Sequence, residues 1–179
     1  MADRADRTGD EVMNPERYRT LMIERLGDRD ALEVMGETAG VLRGLVSGVD
    51  GASLGRRPRG GGWSAAEVLG HLVDAEWALG VRTRAVLSED KPMMIGFDQE
   101  LWVEALGHGR RAAVEWVDEF AVLRGVNLRL WRGLGEGAMD RVGLHNERGE
   151  ESLGLMLRMY AGHDLAHIAQ IRRVLGEAV

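Results

Sequence analysis

His163 and His167 stand four residues apart in a segment whose apolar spacing is helical. That interval stacks two imidazoles on one helix face, about 5 to 6 Å apart at Cβ, close enough to share one ion. The interval alone is weak, because five histidines scattered through 179 residues would produce such a pair in roughly one chain in seven. The surrounding pattern decides. With Leu153 as the origin and about 100° per residue, Tyr160 falls at about 340°, His167 at about 320° and His163 at about 280°. Both histidines face the apolar side, where a polar group without a partner costs about 1 to 3 kcal/mol. They need hydrogen bonds or a metal.

His71 is the natural third member. It follows a helix cap at Ser64, while His167 precedes the glycine stop at Gly176. In antiparallel helices of similar length the two reach nearly the same level, ~10 and ~13 Å from one end. The wheel puts His71 at the edge of its apolar arc. Three neutral imidazoles leave a divalent charge uncompensated and at least one position open, as in catalytic rather than structural zinc sites. An ion so held acidifies a water or thiol that reaches it.

The neighbours have two readings each. Asp164 lies on the inward arc, where it either orients a ligand imidazole through its second nitrogen or forms a salt bridge to another helix. Asn127 sits in an apolar face and either lines a substrate cavity or bonds a neighbouring helix. Tyr160, one turn before His163, reads first as core and second as a catalytic donor. Glu67, four residues before His71, reads first as part of a capping box and second as a carboxylate supporting that imidazole, and Glu76 is expected to pair with an arginine, Arg124 being the candidate. His108, between two glycines, and His145, beside Asn146, read as solvated loop residues.

The elements that must position these groups read as helices throughout. Asn14 and Pro15 start a short lead-in helix to about Leu26. The first long helix spans about Arg29 to Ser47, with Met35, Ala39, Leu42, Leu45 and Val46 on its apolar side. Gly36, Gly40, Gly44 and Gly48 lie opposite, where the favoured reading is a simple propensity cost and the other a subunit contact. Asp50 to Gly62 reads as a basic, glycine-rich loop. The second long helix opens on the box Ser64 to Glu67, with Trp63 and Val68 as a staple, and runs to about Ser88. Residues 89–108 form a long connection with a short helix capped by Asp98. A crossover of that length lets the second and third helices run parallel. The third spans about Arg110 to Leu134 and the fourth about Ser152 to Gly176. No segment reads as a strand.

Bulk composition narrows the classes. A chain of this length with 45% hydrophobic residues suits one domain over residues 13–179 behind a flexible tail over 1–12. A net charge of −6 leaves no cationic surplus for phosphate backbones, so no nucleic acid is expected. With no cysteine, a metal must take N and O ligands, and a reducing, cytoplasmic location fits. No stretch is apolar enough for a membrane span.

Several stretches together resemble the DinB-like superfamily: Gly62-Trp63-Ser64 through Glu67 to His71-Leu72-Val73-Asp74; Gly96-Phe97-Asp98-Gln99; Arg124 with Asn127-Leu128; Arg148-Gly149-Glu150; and Ala161-Gly162-His163-Asp164-Leu165-Ala166-His167 through Gln170. They occur in order over about residues 29 to 175. The resemblance implies an all-α, up-down-down-up four-helix bundle and a metal triad at His71, His163 and His167, holding zinc or nickel. It also implies a small-molecule substrate, a homodimer, and in characterised members transfer of a low-molecular-weight thiol. Thiol S-transfer to an electrophile is thus the first expectation, a metal-dependent hydrolase the alternative, and a non-catalytic metal-stabilised bundle the third. A ferritin-like di-iron site would need paired E-x-x-H motifs, and the sequence has none.

Overall fold

Short polar side chains cap most of the helices where the sequence places them. In the structure, a computed structural model that describes residues 14–178, Asn14 accepts from Glu16 N at 2.8 Å to start α1, Pro15–Leu26. Asp30 opens α2, Ala31–Val46, by accepting from Glu33 N. Ser64 and Glu67 form the full capping box of α4, Ala65–Ser88. Asp98 caps the short α5, Gln99–Ala105. Each bond satisfies an orphan N–H of a first helical turn. The tail expected over residues 1–12 lies outside the described residues.

Three expectations are corrected. The segment Asp50–Gly62 is not all loop, because Asp50 caps a five-residue helix α3, Gly51–Gly55, seated by the buried Leu54. The third long helix, α6, begins only at Ala113 and ends at Arg132, with residues His108–Arg110 forming a separate 3-10 turn. Strands also exist: β1, Met93–Met94, pairs parallel with β2, Val142–His145, which pairs antiparallel with β3, Gly149–Ser152. At two to four residues each they are too short for the period-2 alternation that identifies a strand, and Glu150 and Glu151 make β3 look like a turn. The last helix, α7, Leu153–Ala178, follows directly.

Hydrogen bonds fix the directions of the long helices. Glu76 of α4 meets Arg124 and Asn127 of α6, and further along Arg141 after α6 donates to Val86 O. Residue numbers rise together, so α4 and α6 run parallel, and the strands that follow them also pair parallel. Against α6, α2 runs the other way: Arg124 donates to Met35 O while Arg43 reaches Asp118. Thr38 of α2 bonds Asp164 of α7, and Val46 packs in the same cluster as Val174 while Ala31 packs with Leu157. The order is up-down-down-up.

The core is not continuous. One apolar cluster gathers Leu42, Leu69, Phe120 and Ile171, the other Met35, Leu79, Trp131 and Met156. Between them every long helix contributes polar side chains: Thr38, Glu76, Arg124, Asn127 and Asp164, all buried. Helix α1 crosses α7 at Gly162, where a Cβ would collide with the backbone carbonyl of Met22. Only glycine permits that approach. Among the described residues no helix is long and apolar enough to cross a membrane.

Candidate functional site

Beside this polar layer, α4 and α7 bring His71, His163 and His167 together. Their Nε2 atoms converge: His71 to His163 is 3.1 Å and His167 to His163 is 3.0 Å. The residues are only 2%, 6% and 6% exposed. His71, placed by the wheel at an arc edge, is as buried as the others because α4 is covered nearly all round over Ala65–Glu76. Burial, reinforced by the neighbouring imidazoles, holds the pKa values of His71 and His163 well below the ordinary histidine range. Burial likewise pushes His167 down to about 4, against the opposing pull of Gln170 and Asp164. At neutral pH all three rings are neutral, the form that ligates a metal.

The tautomer of His167 is set by Gln170. Nδ1–H donates to Gln170 Oε1 at 2.7 Å, which leaves the Nε2 lone pair bare and aimed at the other two rings. His71 Nδ1 has no hydrogen-bond partner among the described residues. Three imidazole nitrogens at these separations fit one divalent cation: with Zn–N bonds of about 2.0 to 2.1 Å, tetrahedral ligands stand about 3.3 Å apart. The triad is the group of potential metal-ligating side chains that the described residues bring together.

The other sequence candidates divide. Asp164 takes the salt-bridge reading: Arg124 Nη1 and Nη2 donate to its two oxygens at 2.6 and 3.0 Å, and Thr38 Oγ1 donates at 2.7 Å. No bond joins it to an imidazole. Asn127 Nδ2 donates to the backbone and carboxylate of Glu76, both at 3.0 Å, so it ties α6 to α4 and does not line the cavity. Glu76 pairs with Arg124 at 2.8 Å as expected. Tyr160 reaches the site.

A cavity of about 450 Å³ opens over the triad. His71 and His163 stand in its wall with Tyr160, Arg82, Phe97 and Arg148. Phe97 stacks on Trp102 with centroids 4.4 Å apart. The turn between β2 and β3 supplies Glu147 and Arg148, so the small sheet closes one side of the cavity. Tyr160 Oη accepts from Arg82 Nη1 at 3.0 Å. Its removal from bulk water raises the phenol's pKa despite Arg82 and Arg148 nearby, so it stays protonated.

Two histidines read as solvated are buried. His108 is 1% exposed and its Nε2 lies 2.7 Å from Asp74 Oδ2, with its ring against Gly70 and Trp116. His145 is 3% exposed. Its Nδ1 accepts from Glu147 N at 3.2 Å, and burial, then Arg148 and Arg82, lower its pKa to about 4. Neither joins the triad. Sequence reasoning missed Gln170 as the partner of His167, though its i+3 spacing was a signal, and Arg82 altogether.

Comparison with known proteins gives a consistent result. Residues 36–171 match the family model described as the DinB superfamily. A protein of Oceanobacillus iheyensis with a provisional metal-dependent hydrolase name is 25% identical over 134 residues, 73% of this chain and 76% of its own. A similarly named protein of Geobacillus thermodenitrificans is 29% identical over 140 residues, 75% and 76% of the two chains. The solved structure of YfiT from Bacillus subtilis, described provisionally as a metal-dependent hydrolase with an unusual four-helix bundle topology, superposes with a TM-score of 0.76. It is 22% identical, with 92% of this chain and 89% of that one covered.

Proposed function

Because the chain belongs to the DinB superfamily, we propose that His71, His163 and His167 hold one divalent cation and that the protein is a metal-dependent hydrolase of a small molecule. The observation that carries this reading is the convergence of three buried Nε2 atoms, with His71 and His163 in the wall of a cavity of ligand size. The hydrolase names of the Oceanobacillus and Geobacillus relatives support it. Imidazole nitrogen suits zinc and nickel alike. When bound, such an ion supplies Lewis acidity, polarising an acyl oxygen and acidifying a nucleophile's proton.

The chain's own residues do the rest. Gln170 keeps the proton of His167 on Nδ1, away from the site. Tyr160, protonated and one turn before His163, presents its O–H to an oxygen of the bound substrate. Phe97 and Met159 add apolar surface to a wall that is otherwise largely polar.

Transfer of a low-molecular-weight thiol is the second reading, since the cavity with His71 and His163 in its wall admits a thiol to the position a nucleophilic water would take, and the ion would acidify either. Metal-loaded protein incubated with a chromogenic ester, and separately with a chromogenic aryl halide, each with and without thiol, tests both. Ester turnover without thiol that disappears in His163→Ala supports hydrolysis. Turnover only in the presence of thiol replaces hydrolysis by transfer, and no turnover in any arm overturns both.

A further inference from the structure

Arg82 is 7% exposed and lies in the cavity wall. A guanidinium so far out of water is normally matched by a carboxylate, because a desolvated charge without a counter-charge costs several kcal/mol. Among the described residues none comes within ion-pairing distance of it. Its two hydrogen bonds go to neutral acceptors, Tyr160 Oη at 3.0 Å and Ile95 O at 2.6 Å. The contrast with the other buried arginine is instructive: Arg124 is clamped between Glu76 and Asp164. The second cationic group of the cavity, Arg148, is already matched through its fork to Glu151, at 2.6 and 3.1 Å.

Nothing else in the wall cancels the charge of Arg82. Asp98 and Glu147 also line the cavity, but both are exposed, where water and salt screen them, and Asp98 is engaged as the cap of α5. The guanidinium is held by Ile95 on one side and Tyr160 on the other, with donors left over, since arginine has five N–H groups and accepts nothing. For the same reason Tyr160 Oη must be the acceptor in its bond to Arg82, so the phenol proton is left for a ligand.

We propose that the cavity takes a small substrate bearing an anionic oxygen group, carboxylate or phosphate, bound by Arg82 with Tyr160 as second donor, while its reacting end lies at the histidine triad. A planar fork matches either group in two parallel hydrogen bonds. The inference rests on the proposed function for the place of the reacting end, but anion binding at Arg82 is separable from metal binding.

The test is calorimetric titration of the full chain, both as purified without a metal-affinity tag and after chelation and dialysis, with succinate, inorganic phosphate and the neutral succinamide. Wild type is expected to bind one of the anions about 10- to 100-fold more tightly than succinamide, and Arg82→Gln to lose that preference. The anion that binds names the source. Metal content should be the same in wild type and Arg82→Gln, so failure of the anion site is distinguishable from failure of the metal site. Equal affinity for anion and amide, no anion binding by wild type, or undiminished binding by Arg82→Gln overturns the proposal. Should Arg82→Gln fail to fold, the preference of chelated wild type for anion over amide decides alone.

Discussion

His167 gives its Nδ1 proton to Gln170 at 2.7 Å, and this bond, within one turn of α7, leaves the opposite nitrogen free to ligate. Outer hydrogen bonds of this kind typically account for about 10- to 100-fold in metal affinity. Gln170→Leu, which keeps the buried volume, should therefore bind zinc about 10- to 100-fold more weakly by competition with a chelating dye. Its far-UV circular dichroism should be unchanged. Undiminished affinity would show that the bond orients nothing.

Arg124 joins all four long helices, donating to Met35 O, Glu76 and Asp164. Burial alone would lower its pKa, but Asp164 and Glu76 more than reverse this, so it stays charged. Arg124→Met leaves two carboxylates stranded in the core and should cost about 3 to 5 kcal/mol in urea unfolding. Replacing Arg124, Glu76 and Asp164 together by apolar residues should cost much less, since the charge is removed with its partners. A single variant as stable as wild type would remove the network from the account of what holds the bundle together.

Acid acts on folding and on metal binding differently. An unfolded histidine titrates at about 6.5, whereas the folded His167 and His145 titrate at about 4 and His71 and His163 also well below the usual value. Between these limits the unfolded chain binds more protons than the folded one, so stability is complete above pH ~6.5 and falls as the pH drops toward about 4. Urea midpoints should fall steadily across that window. Metal competes with protons only below the folded pKa values, so the affinity of folded protein for zinc should be nearly level from pH 7 to pH 5. A decline beginning near 6.5 would mean that the imidazoles are accessible to water.

Gly162 and Gly40 make opposite predictions. A methyl at Gly162 meets the Met22 carbonyl, so Gly162→Ala should destabilise by about 1 to 3 kcal/mol as α1 is pushed off α7. Gly40 lies on the exposed side of α2 with nothing within 4 Å, so Gly40→Ala should stabilise by about 0.5 to 1 kcal/mol. Thermal melts of the two variants check both signs.

The chain's local signals carried much of this. The four-residue interval of His163 and His167, the Ser64 box and the Asn14 and Asp98 caps act within one or two turns, and such patterns are visible in sequence. What was not legible depends on distant partners. His108 looks like a loop residue between glycines, and is buried because Asp74, 34 positions away, meets its ring. Arg82 resembles any solvent-facing arginine of a long helix until Ile95 and Tyr160 close around it. Asp164 and Asn127 had two readings each, and the meeting of α4, α6 and α7 at Arg124 and Glu76 decided both. The strands were hidden by their brevity, although they carry one wall of the cavity.

The central claim is that one cation is held jointly by α4 and α7, and metal content tests it most directly. Elemental determination on untagged protein loaded with zinc and dialysed should give one ion per chain for wild type, and a large loss for both His71→Ala and His163→Ala with the helical content retained. Equal metal content in all three proteins would contradict the account.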